Sequence, residues 1–274
     1  MKIGIIGGTG GMGRLFSRIF QEAGHDVMVS GRTTSITNEY IAEHAELIVL
    51  SVPIRDTIPV IESIAPYVSS SQILTDFTSL KTGPVRAMLA TRARVIGLHP
   101  MFGPSIVDLH GQTIIATPAR YEDADLIFLQ TLFENQGARV TITTPEEHDR
   151  MMAVIQGLTH FKAILFAGTM RRLGITPADT ESYISPVYRI ETGIAGRLLS
   201  QNAELYADIL CMNPSVPDIL AVFRNAADEL EQIILSGDKQ AFSDEFNASK
   251  EWFGPFCDRA SRETDLLIQA MVRE

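Results

Sequence analysis

The sequence predicts an α/β protein in which a doubly wound parallel sheet (residues 1–143) is followed by an all-α domain (residues 144–274). Two observations predict this division. The first half alternates short apolar runs with longer amphipathic ones, which is typical of β-α units. From Thr144 onward little of the chain resembles a strand, and long helical runs follow. A chain of 274 residues is also long enough for two domains.

Seven strands are predicted in the first domain, at residues 2–6, 27–30, 47–52, 73–77, 95–98, 113–117 and 139–143. Helices are predicted between them, at residues 12–23, 57–66, 84–91 and 122–136. With right-handed crossovers, the carboxyl ends of all strands lie at one edge of the sheet. We therefore expect ligands to bind in the loops at that edge.

The helical domain opens with a clear helix start. Thr144 supplies a capping hydroxyl, Pro145 suits the first helical position, and two glutamates follow in the first turn. This helix is predicted to continue to Leu173 and to stop at Gly174. The segments 189–210, 219–236 and 239–271 also favour helix. Apolar residues of segment 189–210 suit either an intrachain core or the seam of a homodimer formed through this domain.

The first 25 residues read as strand, glycine-rich turn and helix, an arrangement that suits the pyrophosphate of a dinucleotide. In the G-x-G-x-x-G frame, Gly8 is predicted to allow the tight turn, Gly10 the approach of the phosphates, and Gly13 close packing of helix on strand. The unit therefore predicts a Rossmann-type domain, and the alternative is a glycine-rich turn without a ligand. The predicted cofactor contacts in these loops are Gly8, Thr9, Gly10, Gly11, Met12, Gly13, Ser51, Val52 and Pro53.

The end of the second strand indicates which dinucleotide binds. NAD sites usually place an acid there to accept from the ribose hydroxyls, but no acid occupies residues 30–35. Arg32 stands there instead, flanked by Ser30 and Thr33, and a guanidinium can bind a 2′-phosphate through two charge-assisted bonds. The sequence therefore favours NADP over NAD, unless Arg32 is an ordinary surface arginine.

Composition excludes several classes of protein. Hydrophobic residues make up 45% and charged residues 20% of the chain, as in ordinary globular proteins. The net charge of −10 argues against nucleic-acid or anionic-membrane binding. The two cysteines form no metal or disulfide pattern, and the N-terminus shows no signal-peptide pattern. We also expect no apolar stretch long enough to span a membrane. A cytoplasmic protein without a metal site is expected.

Two loops at the predicted ligand edge carry reactive side chains, at residues 76–81 and 99–104. His99 is placed to take a proton from a substrate hydroxyl as a hydride leaves. Ser79 could orient that imidazole or the substrate. Lys81 could contact a phosphate or carboxylate, or could be a solvated lysine.

Several strings of this sequence resemble the prephenate/arogenate dehydrogenase family. They include GLHPMFG at residues 97–103, with the pattern D-x-x-S-x-K at 76–81 upstream. In the second domain they are QGLTHF at 156–161, SPVYRIE at 185–191 and GRLLSQNAELYADI at 196–209. The likeness spans residues 1–209, and the glycine turn and the QGLTHF string look closest to the archaeal branch. We see no room for a fused chorismate mutase domain.

The resemblance implies oxidative decarboxylation of prephenate to 4-hydroxyphenylpyruvate, in tyrosine synthesis. It implies that His99 accepts the proton of the ring hydroxyl, that Ser79 binds near that hydroxyl, and that Arg189 and His160 bind the substrate from the helical domain. Arg189 could instead form an interdomain salt bridge, and His160 could be a core histidine. His148 is predicted to be structural, fixing the domain junction with Asp149. Gly157 departs from the family, because many relatives carry a histidine there.

Two other functions stay open. Arogenate dehydrogenase differs only in a substrate amino group that lies several atoms from the hydride centre. A non-catalytic NADPH sensor belongs to another class, and it would have no use for an acid-base group at His99.

Overall fold

The computed structural model describes residues 1–272, and its N-terminal part is a seven-stranded sheet. The strands are β1 Lys2–Ile6, β2 Asp26–Ser30, β3 Leu47–Leu50, β4 Ile73–Asp76, β5 Arg94–Pro100, β6 Thr113–Arg120 and β7 Arg139–Ile142. The helices are α1 Gly11–Glu22, α2 Asn38–His44, α3 Ile54–Ile64, α4 Thr82–Leu89, α5 Asp123–Glu134, α6 Pro145–Met152, α7 Thr159–Leu173, α8 Pro177–Thr180, α9 Pro186–Leu199, α10 Ala203–Met212, α11 Val216–Ser236, α12 Lys239–Phe253 and α13 Phe256–Val272. The predicted α/β fold with a following helical region is confirmed.

The sheet has the strand order β2-β1-β3-β4-β5-β6-β7, and β1 to β5 are mutually parallel. The expectation that all strands have their carboxyl ends at one edge holds for β1 to β5 only, because β6 runs antiparallel to β5 and β7 runs parallel to β6. Residues 101–112 join β5 to β6 without a helix, and a direct return of this kind gives an antiparallel pair. The strand order reverses between β1 and β3, which is where ligands bind in such sheets.

Most predicted strands and helices are present within a few residues, with two differences that matter. β5 continues through His99 to Pro100, so His99 lies within a strand rather than in the loop after it. Sequence reasoning missed α2, a short helix whose N-cap Thr37 accepts a hydrogen bond from the Tyr40 N–H.

Both faces of the sheet are covered by helices, and a separate hydrophobic layer fills each side. One layer contains the aromatic rings of Phe16, Phe20, Phe77 and Phe133, with the Phe16 and Phe77 ring centroids 4.0 Å apart. The other packs α2, α3 and α4 on the opposite face. Strands buried on both faces are continuous apolar runs, as the LIVL of β3 is. The loops at the sheet edges are therefore held on a rigid support.

The helical region begins where the sequence predicts. The Thr144 hydroxyl accepts a hydrogen bond from the Glu147 N–H, and Pro145 is the first residue of α6. The predicted single helix to Leu173 is interrupted by a π-helical turn, Ala153–Leu158. α7 then ends at Gly174, which has the positive φ (70°) expected of a helix stop.

The described chain divides into two compact units. Unit 1 comprises Met1–Gln156 and Glu204–Ser215, so it contains the sheet together with α6 and most of α10. Unit 2 comprises Gly157–Ala203 and the described residues from Val216 onward, and it is helical. The predicted domain boundary after residue 143 therefore differs from this division. One reason is that Asn213 donates to the Asp149 carbonyl oxygen at 2.9 Å, which ties α6 to the α10 segment.

One helical stretch, Pro145–Leu173, contains an 18-residue window that is long and apolar enough to cross a membrane by length and composition, with a mean hydropathy of 1.3. The expectation that no stretch reaches this length was wrong. A single such stretch is weak evidence for a membrane span, because core helices meet the same criteria. Its first turns also carry His148 and Asp149, whose side chains are buried within unit 1.

Candidate active site

The glycine turn after β1 has the shape of a phosphate cradle. Gly7 carries the positive φ (80°), so the tight turn depends on Gly7 rather than on Gly8 as predicted. A Cβ on Gly8 would lie 2.7 Å from the Val29 side chain, so Gly8 allows close packing on β2. A Cβ on Gly13 would lie 2.5 Å from the Gly8 Cα, as expected for close helix-strand packing.

Gly10 is the N-cap of α1 and has no side chain to bond the first N–H groups of the helix. Only the Gly7 carbonyl oxygen lies within 4 Å of a Cβ built there, at 3.3 Å, and the first turn holds no acid. Unpaired N–H groups at a helix N-terminus attract an anion. The turn therefore fits the pyrophosphate of a dinucleotide.

The loops after β2, β3 and β5 adjoin this turn. A Cβ on Gly7 would lie 2.4 Å from the Ser51 carbonyl oxygen and 2.9 Å from Val52. A Cβ on Gly31 would lie 2.4 Å from the Thr9 hydroxyl. Gly11 of the glycine turn lies close to the segment after β5, because a Cβ on Gly11 would lie 2.9 Å from the Pro104 ring. Pro53 is exposed and is the N-cap residue of α3. These predicted contacts therefore share one edge of the sheet.

The three predicted NADP contacts at the end of β2 differ in their surroundings. The Ser30 side chain is buried and donates to Asn38 at 2.7 Å. Its carbonyl oxygen accepts from the N–H groups of Gly7 and Gly8, both at 3.0 Å. Ser30 therefore holds the glycine turn through its backbone, and its hydroxyl is already engaged. Arg32 and Thr33 are exposed, and Arg32 forms no ion pair with any residue from 1 to 272.

His99 is buried and heads a chain of hydrogen-bonded side chains. Its Nδ1 lies 2.9 Å from Nε2 of His148, and Nδ1 of His148 lies 2.8 Å from Oδ1 of Asp149. Sequence reasoning paired His148 with Asp149, but it assigned that pair to the domain junction and missed its link to His99. The two histidines are 49 positions apart, and this separation hides the link in the sequence.

Asp149 sits at the N-terminus of α4. Its two carboxylate oxygens accept hydrogen bonds from the Lys81 N–H at 2.8 Å and from the Thr82 N–H at 2.9 Å. Burial raises the pKa of Asp149, but the bonds from His148, Thr82 and Lys81 outweigh it, and the net pKa is lowered. Asp149 is therefore a carboxylate at neutral pH and can only accept hydrogen bonds from its neighbours.

This carboxylate fixes the protons of both histidines. Because Asp149 only accepts, His148 carries its proton on Nδ1 and presents an unprotonated Nε2 to His99. Burial lowers the pKa of both histidines, and repulsion from the neighbouring His148 and Lys81 lowers the pKa of His99 further. Both rings are therefore neutral, and His99 donates from Nδ1. The lone pair of His99 Nε2 is left as a base, with Gln156 Nε2 at 3.5 Å.

Lys81 is fully buried, so it is not a solvated lysine, and the carboxylate that it contacts belongs to Asp76 of the protein itself. Its ammonium pairs with the buried Asp76 carboxylate and donates to the Leu98 carbonyl oxygen at 2.8 Å. Burial lowers the pKa of Lys81, against the opposing effect of Asp76. Gly97 leaves room for the Lys81 stem, because a Cβ there would lie 3.1 Å from Lys81 Cδ. Ser79 is half-buried in the same turn.

The two predicted substrate-binding residues lie in unit 2, whereas His99 and Ser79 lie in unit 1. His160 is half-buried on α7, and burial lowers its pKa. Arg189 is exposed on α9, and its Nη1 donates to the Met271 carbonyl oxygen at 3.1 Å. It forms no ion pair within residues 1–272.

Comparison with known proteins identifies the family. Residues 21–142 match the nucleotide-binding domain of prephenate dehydrogenase, and residues 144–248 match the dimerization domain of prephenate dehydrogenase. The T-protein of Haemophilus influenzae is 32% identical over 269 residues, which cover 98% of this chain and 71% of the T-protein. The chain belongs to the prephenate dehydrogenase family.

A further family relative is the "probable arogenate/prephenate dehydrogenase" of Methanocaldococcus jannaschii, 33% identical over 293 residues. This match covers 100% of the chain but only 66% of that relative's length. The fold is shared with Synechocystis arogenate dehydrogenase (TM-score 0.71, 22% identity, 93% of this chain and 100% of that chain). It is also shared with Aquifex aeolicus prephenate dehydrogenase bound to hydroxyphenyl propionate and NAD+ (TM-score 0.74, 19% identity, 91% and 96%).

Membership of the prephenate dehydrogenase family favours a dehydrogenase over the NADPH sensor that the sequence left open. The matching family models are those of dehydrogenases, and nothing in the comparisons supports a non-catalytic NADPH sensor. The first family match begins at residue 21 and therefore leaves out the glycine turn. The cofactor site at that turn is supported by its own geometry.

Proposed function

We propose that the chain is an NADP-preferring prephenate dehydrogenase that converts prephenate to 4-hydroxyphenylpyruvate. One observation carries the proposal: the hydrogen-bond chain from Asp149 leaves an unprotonated Nε2 on His99. His99 lies near the end of β5, and the segment after β5 approaches the glycine turn through Pro104. A base at the same edge as a dinucleotide cradle suits oxidation of an alcohol.

The reaction requires a base, a hydride acceptor and loss of carbon dioxide. When bound, oxidised nicotinamide supplies the hydride acceptor. His99 Nε2 takes the proton of the ring hydroxyl while the hydride leaves the ring carbon that bears this hydroxyl. The ring carboxylate then leaves as CO2, and its bonding electron pair enters the ring. The ring becomes aromatic, and the proton returns from His99 to the phenol oxygen.

Substrate binding is assigned to Arg189 and His160 by the family resemblance. Arg189 is an exposed guanidinium without a carboxylate partner in residues 1–272, so it is free to bind a substrate carboxylate in bidentate fashion. Ser79, half-buried near Lys81, would bind close to the ring hydroxyl. Arogenate is the second candidate substrate, because the name of the M. jannaschii relative includes both substrates.

The NADP preference rests on Arg32, which is exposed and free of ion pairs in the described chain. Arg32→Ala should raise the KM for NADP about tenfold, the loss of about one charge-assisted hydrogen bond, and leave the KM for NAD unchanged. Arg92→Ala is the control, because Arg92 is also exposed but precedes β5 at the opposite edge of the sheet. An equal effect of Arg32→Ala on both cofactors would contradict the assignment.

A homodimer through the helical region accounts for apolar side chains that the monomer leaves exposed. In unit 2 these include Val222 (67% exposed), Leu235 (72%) and Trp252 (90%). Large apolar side chains that a monomer leaves exposed are covered when a second copy of the chain packs on them. Sedimentation equilibrium should give a mass of twice 30.1 kDa, and a monomer at micromolar concentration would contradict the proposal.

Initial rates at 340 nm test the reaction, with prephenate and arogenate each offered with NADP and with NAD. The proposal predicts the highest kcat/KM for prephenate with NADP. Turnover of arogenate alone would retain the mechanism and replace the substrate. No turnover with any pair would contradict the proposed function.

A further inference from the structure

The side chain of Gln156 lies next to Nε2 of His99, the ring nitrogen that acts as the base in the proposed reaction. Its Nε2 is 3.5 Å from His99 Nε2, the ring nitrogen that the Asp149 chain leaves unprotonated. The other end of the Gln156 amide, Oε1, is buried and has no hydrogen-bond partner among residues 1–272. Both residues belong to unit 1. A buried amide oxygen without a partner costs about 1–3 kcal/mol, so its position calls for an explanation.

The orientation of this amide follows from the base. If the amide were turned over, its oxygen would face the lone pair of His99 Nε2, and two acceptors would oppose each other. With the NH2 group toward His99, the amide donates to that lone pair, though at the long limit of a hydrogen bond. The NH2 group therefore lies next to the position that a substrate hydroxyl must occupy to donate to His99.

The backbone around Gln156 supports a role in the site. Gln156 lies within the π-helical turn Ala153–Leu158, which interrupts an otherwise α-helical stretch. Such turns shift the side chains that follow and occur often at functional sites. In a regular helix, by contrast, the side chain of residue 156 would point in another direction.

We propose that Gln156 is a catalytic residue that donates a hydrogen bond to the substrate's hydroxyl oxygen while that hydroxyl donates its proton to His99. This inference rests on the proposed function. In the resting protein the Gln156 amide lies against Nε2 of His99. When substrate binds, its hydroxyl lies between the Gln156 amide and His99. The amide N–H then holds the oxygen as its C–O bond becomes a carbonyl and later a phenol. The amide neither gains nor loses a proton.

Two substitutions of similar size separate this role from a structural one. Gln156→Met keeps the bulk and removes the donor, so kcat/KM for prephenate should fall about 10²-fold, as when one oxyanion donor is removed. The KM for NADP should not change. Gln156→Glu instead places a carboxylate beside His99, so the acidic limb of the pH profile of kcat/KM should rise by about one unit or more. The other titratable groups around His99 are His148, Lys81, Asp76 and Asp149, and all of them remain.

The control is Ile155→Met, an exposed apolar neighbour in the same π-helical turn, which should leave rate and pH profile unchanged. Thermal unfolding of each variant reports whether the fold is kept. A Gln156→Met enzyme with the wild-type rate, or a Gln156→Glu enzyme with the wild-type pH profile, would overturn the inference.

One readout does not need turnover. Titration of the His99 imidazole by NMR should show a higher pKa in Gln156→Glu than in the wild type. If the wild type turns over no substrate but this shift is found, the proposed function fails while the placement of Gln156 against the base stands. If the pKa of His99 does not move, the placement itself is wrong.

Discussion

Asp149→Asn is the most informative change to the hydrogen-bond chain, because it keeps the shape of the side chain and removes its charge. The carboxylate accepts three N–H groups: His148 Nδ1–H at 2.8 Å, Lys81 N–H at 2.8 Å and Thr82 N–H at 2.9 Å. An asparagine brings two donors of its own, and its NH2 group must face at least one of these N–H groups.

The two orientations of that asparagine have different consequences. If the NH2 group faces Thr82, one buried N–H loses its acceptor, which costs about 1–3 kcal/mol. If it faces His148 and the Lys81 N–H, His148 is forced to carry its proton on Nε2 and to donate to His99. His99 then becomes protonated on Nε2 in its neutral form, and the base is lost. Because general-base catalysis contributes about 10²–10⁴-fold, we expect kcat to fall by that factor in this second orientation, whereas the first orientation lowers stability and leaves the base in place.

The assay is the initial rate with saturating prephenate and NADP, together with NADPH binding by fluorescence. Binding should be retained, because the glycine turn contains none of these groups. Glu147→Gln is the matched control, since Glu147 is half-buried on the same helix and, among residues 1–272, its side chain pairs with Arg150 alone. Exchanged tautomers of His99 and His148 by ¹⁵N NMR together with a rate near that of the wild type would refute the reasoning, as would unchanged tautomers without a loss of stability.

Three further predictions concern the same site. His99 has a pKa below its ordinary value of 6.5, so the acidic limb of kcat/KM should lie below pH 6.5, and a limb at or above that pH would contradict the burial argument. Because the folded state binds this proton more weakly, stability should also decrease as the pH falls from 6.5 toward the folded pKa, as measured by urea unfolding at a series of pH values. Gly97→Ala places a Cβ 2.5 Å from the Thr117 hydroxyl and 3.1 Å from Lys81 Cδ, so it should destabilise by about 1–3 kcal/mol. Gly83→Ala is its control, because a Cβ there meets only Ile58 at 3.5 Å and a helical alanine should stabilise by up to about 1 kcal/mol; equal effects of the two changes would contradict the packing argument.

The sequence predicted those parts of the fold that depend on local rules. The strand, glycine turn and helix at residues 2–22 follow from backbone sterics and from the free N–H groups of a helix start. The capped start at Thr144 and the stop at Gly174 follow from hydrogen bonding at helix ends. Strand direction is different, because apolar periodicity is the same in both directions. The absence of a helix between β5 and β6 was the available signal that β6 runs antiparallel.

The site was only partly predictable for a related reason. His99 was found from its motif, but the link to His148 joins residues that only the fold brings together. Lys81 was expected at the surface or on a ligand because lysine is seldom buried. Its burial depends on an ion pair with Asp76, the last residue of β4, and on the absence of a side chain at Gly97 in β5. The π-helical turn that places Gln156 has no signature in the sequence.

The most direct test of the central claim compares wild type with His99→Asn for NADPH formation from prephenate and NADP. NADPH binding is measured on both proteins. If His99 is the base, the wild type turns over and the variant is slower by about 10²–10⁴-fold, while both bind NADPH equally. A variant as fast as the wild type, or a wild type that binds NADPH tightly without turnover, would contradict the account.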